Sequence, residues 1–432
     1  MEIAQLMLYL SIILVVGFVF GKLAELAKIP DITGYIVAGV LLGLLGSKVF
    51  NLDITKISSD LSIISKVVLG IVAFMVGTAL WFPKLKKVGK QIVIITALES
   101  TVTMIVVFFS VWLLSKELWI ALILSAIAST TAPTAIMAIT KRLKTKGPLT
   151  DTVLPVVGID NMIGLIVFGI FSSIAVSIIN VEEVSFVSAV LIPFRKIGIS
   201  IATGLGIGAI FGLIDKFIIG RFKVNDRSTI YLTFILAFIF VSIWLEGQLY
   251  LSLIIIVLVS GMTFTNLVGK EPYKIQNTAI NNFSGVFLIL FFTLAGLQLQ
   301  LDVLVSAGVL AIFYVVFRIA GKMGGGYLGS VLAKSTSPVK KNIGMSLLAQ
   351  GGVEIGMLLT LKEVLPNISV SILGITETPF IIVNNIVLAG ILVFELIGPV
   401  GYKFSIAKAG EITLFESVEI EELIEGQTSN HL

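Results

Sequence analysis

The sequence contains no cysteine, one histidine and few charged residues. The absence of cysteine excludes disulfide bonds, thiolate metal sites and thiol catalysis. The single histidine, His431, stands next to the C-terminus, where a solvated side chain is a poor metal ligand or catalytic base. A net charge of +4 is too small to indicate binding to nucleic acid. With no nucleophile–base pair in view, we expect no enzyme activity, no cofactor and no resident metal ion.

Apolar residues dominate the composition of the chain. They make up 57% of the chain, charged residues only 13%, and the mean hydropathy is +1.08. A membrane-spanning helix needs about 20 apolar residues, and runs of that length recur along the whole sequence. We therefore predict an all-α polytopic membrane protein in contact with lipid, with about thirteen transmembrane helices near residues 4–23, 31–47, 60–82, 91–115, 118–140, 150–179, 195–219, 228–245, 249–267, 277–299, 303–333, 342–363 and 378–403.

The loop charges predict the orientation. Lysine and arginine are concentrated in the loops that would be cytoplasmic if the N-terminus lay outside, for example at Lys84 to Lys90 and Lys141 to Lys146. Cytoplasmic loops carry such an excess of positive charge. We expect a multi-pass protein of the cell (inner or plasma) membrane, with the N-terminus outside and the C-terminus in the cytoplasm.

Thirteen spans divide into six, a linker helix and six, so that the second set has the opposite topology. Inverted repeats of this kind are typical of transporters, and paired interrupted helices point to their binding site. Two spans are interrupted at corresponding positions, about 129–134 and about 350–354. The residues expected to break them are Pro133, Gln350, Gly351 and Gly352.

One carboxylate stands out. Asp160 is the only charged residue between Val153 and Ile179. An acid at membrane depth is costly and usually marks an ion or proton path. The same oxygens bind either a proton or a dehydrated alkali cation, and that competition is sufficient for antiport. The other buried ionisable residues are expected to be charge partners, namely Lys322, Arg318, Glu354, Glu99 and Glu395.

The two basic residues of this set are expected to differ in role. Lys322 is a plausible partner of Asp160 that is released when the cation arrives. Arg318 stays charged, which favours a static pairing with Glu99 or Glu395. For Glu354 two roles remain open, since it could line the ion path or offset the positive end of a half-helix.

Several segments, in this order, resemble those of the monovalent cation:proton antiporter superfamily. The resemblance is closest to its bacterial sodium/proton and potassium-efflux-type branch without a regulatory domain, and it covers nearly the whole chain. The segments are Ile29 to Tyr35 leading to Gly39 and Gly43, Ala128 to Pro133, Lys146 to Thr152, Gly158 to Asn161, Gly321-Lys322, Leu348 to Gly356 and Phe394 to Pro399.

The resemblance implies a homodimer that works by an elevator-like movement of a six-helix core against a dimerisation domain. The implied division is residues 1–90 for dimerisation helices 1–3, 91–180 for core helices 4–6, 195–220 for the linker helix, 228–300 for dimerisation helices 8–10, 303–405 for core helices 11–13, and 406–432 for a short, solvated cytoplasmic tail.

The chain departs from the family pattern at the ion site. Electrogenic members carry two adjacent aspartates and electroneutral members carry Asn then Asp, whereas here the order is Asp160 then Asn161. Three interpretations follow. Asp160 acts alone in electroneutral exchange, Glu354 supplies the missing carboxylate, or the chain is a transport-impaired variant.

The leading hypothesis is exchange of Na⁺ or K⁺ for H⁺. The cation would be held by Asp160, Asn161, Thr130, Thr131 and backbone carbonyl groups, and its identity depends on placement that the sequence does not reveal. A cation channel is one alternative, although no filter loop is visible. An organic-anion symporter with related inverted repeats is another, and proton flux that depends on an organic substrate would favour it.

Overall fold

The described part of the chain folds almost entirely into helices. The computed structural model describes residues 3–27, 29–48, 57, 60–80, 82–180, 191–219, 227–249, 251–268 and 270–412. Within these residues the helices are α1 (Ile3–Leu26), α2 (Asp31–Lys48), α3 (Ser62–Ala79), α4 (Phe82–Ser115), α5 (Leu118–Ala128), α6 (Pro133–Arg142), α7 (Pro148–Ile179), α8 (Ile192–Ile214, continued by a π-helical turn Asp215–Ile219), α9 (Arg227–Leu249), α10 (Leu253–Leu267), α11 (Lys270–Leu297), α12 (Leu301–Ser306), α13 (Gly308–Leu332), α14 (Ser337–Ser346), α15 (Gly352–Val364) and α16 (Pro379–Lys408).

Seven helices in the described residues are long and apolar enough to cross a membrane. Five shorter apolar segments accompany them, on α2, α3, α5, α10 and α11. This confirms the prediction of an all-α polytopic membrane protein. The count of thirteen spans and the inverted repeat remain predictions.

Two predicted spans are interrupted, at positions that differ from the expected ones. The fifth span breaks at residues 129–132 instead of 129–134, because Pro133 begins α6. Proline suits the first position of a helix, where its missing N–H is not needed. The twelfth span breaks at residues 347–351 instead of 350–354, because Gly352 begins α15. The two breaks touch, since the Ala132 N–H donates to the carbonyl of Ala349 at 2.9 Å.

Two further elements differ from the sequence prediction. The eleventh span, predicted over residues 303–333, consists of the short α12 and the long α13. The connection between α15 and α16 contains a two-stranded antiparallel hairpin, β1 (Val370–Ile372) and β2 (Ile375–Glu377), which was not predicted. Strands of three residues are too short for an alternating pattern to be recognised in sequence.

A stripe of glycines brings α13 against α4. A Cβ atom added at Gly321, Gly325 or Gly329 would lie within 3.0 Å of backbone atoms of α4. Such small residues allow close backbone approach between membrane helices. The contact at Gly325 is with Glu99 itself, so the stripe sets the distance between a buried acid on α4 and the buried bases of α13.

The helix that carries Asp160 is capped by a residue from beyond α16. The Glu411 carboxylate accepts hydrogen bonds from the Leu149 N–H at 2.7 Å and from the N–H and hydroxyl of Thr150 at 2.8 and 2.7 Å. Glu411 is 4% exposed. The expectation of a solvated tail from residue 406 is therefore wrong for the first residues after α16, because the N-terminus of α7 attracts this carboxylate. Residues 413–432 of the predicted tail lie outside the described residues.

The glycine stripe generates a stability prediction. In Gly325→Ala the new Cβ would lie 2.9 Å from the Cα of Glu99, so α4 and α13 must separate. We expect a loss of about 1–3 kcal/mol, the usual effect of overpacking. Gly324→Ala is the matched control, because no atom lies within 4 Å of its Cβ position.

Thermal unfolding of the purified variants in detergent checks this. Gly325→Ala should melt at a lower temperature than the unmodified chain, while Gly324→Ala should melt at the same or a higher temperature, because alanine favours a helix by about 1 kcal/mol over glycine. Equal melting temperatures for the two variants would contradict the packing argument.

Candidate ion-binding site

The predicted site residues converge at the crossing of the two breaks. The polar members of the set are completely buried, at 0% exposure, namely Glu99, Thr130, Thr131, Asp160, Asn161, Arg318, Lys322, Gln350, Glu354 and Glu395. They come from α4, α7, α13, α15, α16 and the two breaks. The site is therefore closed to solvent in this conformation.

Asp160 is only partly satisfied. Its Oδ2 atom accepts a hydrogen bond from the Thr131 hydroxyl at 2.7 Å and lies 3.3 Å from the Lys322 ammonium. Its Oδ1 atom has no hydrogen-bond partner among the described residues. A buried carboxyl oxygen without a partner is costly, so this oxygen is the natural position for a proton or a cation.

A single ammonium group serves two carboxylates. Lys322 Nζ lies 2.6 Å from the Glu99 carboxylate, closer than the 3.3 Å to Asp160. It also donates to the Thr131 hydroxyl at 2.9 Å and to the carbonyl of Ser129 at 2.5 Å. The sequence prediction named Asp160 as the partner of Lys322 but did not place Glu99 on the same ammonium.

Asn161 makes its hydrogen bonds through its amide nitrogen, a donor that an aspartate lacks. Its amide nitrogen donates to the carbonyls of Thr131 at 2.9 Å and Val157 at 2.8 Å. Its Oδ1 atom has no partner among the described residues. The amide thus satisfies a carbonyl freed by the break and leaves one oxygen available as a ligand. An ionised aspartate at this position would have no proton to donate to that carbonyl.

Arg318 joins the two breaks. Its guanidinium donates to backbone carbonyls of both interrupted spans, at 3.0 Å to Ala128, 2.7 Å to Thr130, 2.7 Å to Leu348 and 3.4 Å to Ala349. These carbonyls lie at the end of α5 and in the breaks that follow the C-terminal ends of α5 and α14, where helices carry partial negative charge. The planar guanidinium group can bond to both ends at once.

The expected pairing of Arg318 with Glu99 or Glu395 is therefore wrong for the described residues. Its donors are directed at carbonyl groups, and its guanidinium carbon lies 4.2 Å from the ring centre of Phe394. Glu99 pairs with Lys322 instead. Two negative half-helix ends thus supply the counter-charge that the prediction had assigned to a carboxylate.

Glu354 caps the second half-helix. Its Oε2 atom accepts from the Gly351 N–H at 2.8 Å, at the start of α15, and its Oε1 atom accepts from the Thr130 hydroxyl at 2.8 Å. The carboxylate therefore offsets the positive end of α15 and also contacts the other break. Of the two roles that the sequence left open, the second, in which Glu354 offsets the positive end of a half-helix, corresponds to these contacts directly.

Two predicted members of the site, Glu395 and Gln350, form no hydrogen bond with the ion pair of Asp160 and Lys322 in the described part of the chain. Glu395 lies beside Gly351, but neither of its carboxyl oxygens has a hydrogen-bond partner among the described residues. No cationic side chain among the residues that the structure describes pairs with Glu395. Gln350 donates to the Tyr314 hydroxyl at 2.6 Å and helps to fix the break to α13.

Sequence reasoning missed Tyr314 and Phe394 as supporting residues. Tyr314 could have been found, because it precedes Arg318 by four residues and Lys322 by eight, on the same face of α13. Phe394 carried no such signal. Among the described residues, no group of three or more His, Cys, Asp or Glu side chains could hold a metal ion.

Buried acids and bases around two interrupted, crossing membrane helices are typical of an ion transporter. The comparison with protein families agrees, since the model described as "Sodium/hydrogen exchanger, transmembrane" matches residues 10–401. The chain belongs to this family of transmembrane sodium/hydrogen exchangers. A comparison with curated protein sequences finds no match.

Solved structures share the fold. The sodium proton antiporter MjNhaP1 from Methanocaldococcus jannaschii at pH 8 has a TM-score of 0.72 and 16% sequence identity, covering 94% of this chain and 99% of that one. A three-dimensional electron-microscopy map of MjNhaP1 gives a TM-score of 0.70 at 16% identity, over 96% and 98% of the two chains. At this identity the similarity concerns the fold alone.

The Arg318 contacts generate a second prediction. Arg318→Lys keeps the charge but replaces the fork of donors by one ammonium group, which cannot bond to both breaks as the guanidinium does. Each buried carbonyl that loses its donor costs about 1–3 kcal/mol. We expect a clearly lower melting temperature in detergent. Arg195→Lys, at an exposed position on α8, is the control and should melt like the unmodified chain. Unchanged melting of Arg318→Lys would show that the carbonyls do not need this donor.

Proposed function

We propose that the protein is a secondary antiporter that exchanges Na⁺ or K⁺ for H⁺, with Asp160 as the carrier. The observation that carries the proposal is the free Oδ1 atom of Asp160, which is buried at the crossing of the two breaks. The free Oδ1 atom of Asn161 and the hydroxyls of Thr130 and Thr131 are candidate additional ligands. A site built from such oxygens suits a hard cation.

Glu99 supports electroneutral exchange by a single carboxylate. When Asp160 holds a proton, Lys322 stays charged and paired with Glu99, 2.6 Å away. When Asp160 loses the proton and binds a monovalent cation, the same ion pair persists. The net charge of the site is then equal in both loaded forms, since one positive ion has replaced another.

Glu354 is less suited to replace a second aspartate at position 161. Both of its oxygens are engaged, one by the Gly351 N–H and one by Thr130. Binding a cation there would compete with the cap of α15. The contacts therefore favour the interpretation in which Asp160 acts alone as the carrier.

Proton flux in proteoliposomes tests the proposal. A pH-sensitive dye reports proton movement after addition of Na⁺, Li⁺ or K⁺ to vesicles that contain this chain, Asp160→Asn or Asn161→Asp. We expect cation-dependent flux from this chain and a loss to the background of empty vesicles in Asp160→Asn, because the amide cannot exchange a proton.

Other outcomes decide against parts of the proposal. Absence of proton flux in the unmodified chain, together with flux in Asn161→Asp, would identify the unmodified chain as a transport-impaired form. Exchange by Asp160→Asn would exclude Asp160 as the carrier. Single-channel current in a planar bilayer would favour the channel alternative, for which the closed site gives no support.

We also propose the division into a core and a dimerisation domain, with elevator-like movement in a homodimer. Lys66 on α3 pairs with Glu246 on α9 at 3.0 Å, within the proposed dimerisation domain. It also pairs with Glu363 on α15, in the proposed core, at 2.6 Å. A cavity of about 310 Å³ lies at the same boundary, lined by residues of α7, α8, α9, α10 and α15. Loose packing there is compatible with sliding.

Because the chain has no cysteine, crosslinks can test this movement in an otherwise unmodified background. The double variant Lys66→Cys, Glu363→Cys joins the two proposed domains, whereas Lys66→Cys, Glu246→Cys joins two helices of one domain. A short bifunctional thiol reagent should abolish proton flux in the first variant and leave the flux of the second unchanged. Equal sensitivity of the two variants, measured with the same dye and with crosslinking verified by peptide mass, would contradict the division.

The proposed sidedness is internally consistent. The ion pairs of Lys66 with Glu246 and Glu363 join the ends of α3, α9 and α15 that were predicted to lie outside. On the opposite side, the Lys146 N–H donates to the carbonyl of Glu411 at 3.0 Å, which joins two segments predicted to be cytoplasmic. The proposed cell-membrane location, with the N-terminus outside and the C-terminus inside, thus places contacting segments on the same side.

A further inference from the structure

Glu395 lies on α16 against the point where α15 begins. Its side chain is completely buried, and both of its carboxyl oxygens lack hydrogen-bond partners among the described residues. A Cβ atom added at Gly351 would lie 2.5 Å from Glu395 Oε1, so the carboxyl group rests directly on the last residue of the break. The exchange cycle proposed for Asp160 makes no use of this group.

The surroundings of Glu395 are negative. In the described part of the chain, the charged groups that act on Glu395 are Glu354 on α15 and Asp31 on α2, and both are acidic. Arg318 stacks on the neighbouring Phe394, but its donors are directed at backbone carbonyls. An ionised carboxylate buried without a hydrogen bond or a counter-ion is strongly unfavourable. Glu395 therefore needs a positive ion, which is either a proton or a metal cation.

The N-terminal end of α15 can offset the negative charge of only one of the two carboxylates beside it. The Gly351 N–H and the Thr130 hydroxyl both donate to Glu354, and the helix end favours its negative charge. Glu395 receives none of these donors. Counting the buried set, four acids (Glu99, Asp160, Glu354 and Glu395) face two bases, Arg318 and Lys322. Two of the acids therefore need positive charge from elsewhere.

We propose that Glu395, beside the capped Glu354, forms a second site for a monovalent cation, distinct from Asp160. Glu395 holds a proton in the conformation described here, and Na⁺ or K⁺ takes its place at equilibrium when the proton leaves, without being carried across the membrane by this site. One positive ion replaces another, so the exchange changes no net charge. The proposal depends on the proposed function only for the identity of the ions. The two sites share no hydrogen-bond donor, because Asp160 is bonded by Thr131 and Lys322.

Equilibrium binding of radiolabelled ²²Na⁺ and ⁸⁶Rb⁺ to the purified full chain at alkaline pH tests the second site without requiring transport. The comparison uses the unmodified chain, Asp160→Asn, and Asp160→Asn combined with either Glu395→Gln or Glu363→Gln. Asp160→Asn should keep half of the binding stoichiometry. Adding Glu395→Gln should abolish the remainder, while the control Glu363→Gln, at a half-exposed carboxylate, should not. Acidification should remove the residual binding, because protons compete for Glu395.

Two outcomes would overturn the proposal. One is the absence of binding by Asp160→Asn when the unmodified chain binds, and the other is equal binding by Asp160→Asn with and without Glu395→Gln. Melting temperatures of all variants identify those that fail to fold, and Glu395→Asp then serves as the second variant, which should retain binding. If the unmodified chain showed no proton flux but Asp160→Asn still bound a cation, the second site would stand while the proposed antiport failed. The two failures are therefore distinguishable.

Discussion

The site depends on one arrangement, in which a single guanidinium group holds the ends of two broken helices together. Interrupting a membrane helix leaves carbonyl groups without partners at a depth where water cannot satisfy them. Arg318 donates to such carbonyls on both interrupted spans, and the Ala132 N–H bonds directly to Ala349 in the other break. The breaks therefore persist as a defined crossing with fixed polar groups, around which the ionisable side chains are placed.

Charge balance at this crossing explains why the buried acids differ in their partners and roles. Glu354 is stabilised by the N-terminal end of α15, and Glu99 is paired with Lys322. Asp160 shares that lysine at a longer distance and keeps one oxygen free. The fixed charges thus leave Asp160 short of one positive charge, which supports the proposal that it carries a proton or a cation.

The sequence was sufficient to predict the fold class, because long apolar runs and broken spans are visible in it. It also identified each buried ionisable residue of the crossing, because a charged residue in an apolar run is conspicuous. Which charges meet was less accessible. Arg318 was assigned to a carboxylate because backbone carbonyls do not appear as a sequence signal, and Glu411 was assigned to a solvated tail because its partner, the start of α7, is far away in the chain. The observed breaks differ from the predicted positions, since Pro133 and Gly352 begin new helices instead of lying within the breaks.

The central claim is that one positive ion replaces another while Lys322 stays paired with Glu99, so that exchange moves no net charge. The most direct measurement is the rate of Na⁺-driven proton flux in proteoliposomes at membrane potentials of opposite sign, set by an ionophore. The account predicts equal rates at both polarities. A rate that increases at one polarity and falls at the other would contradict it, because net charge would then cross the membrane in each cycle.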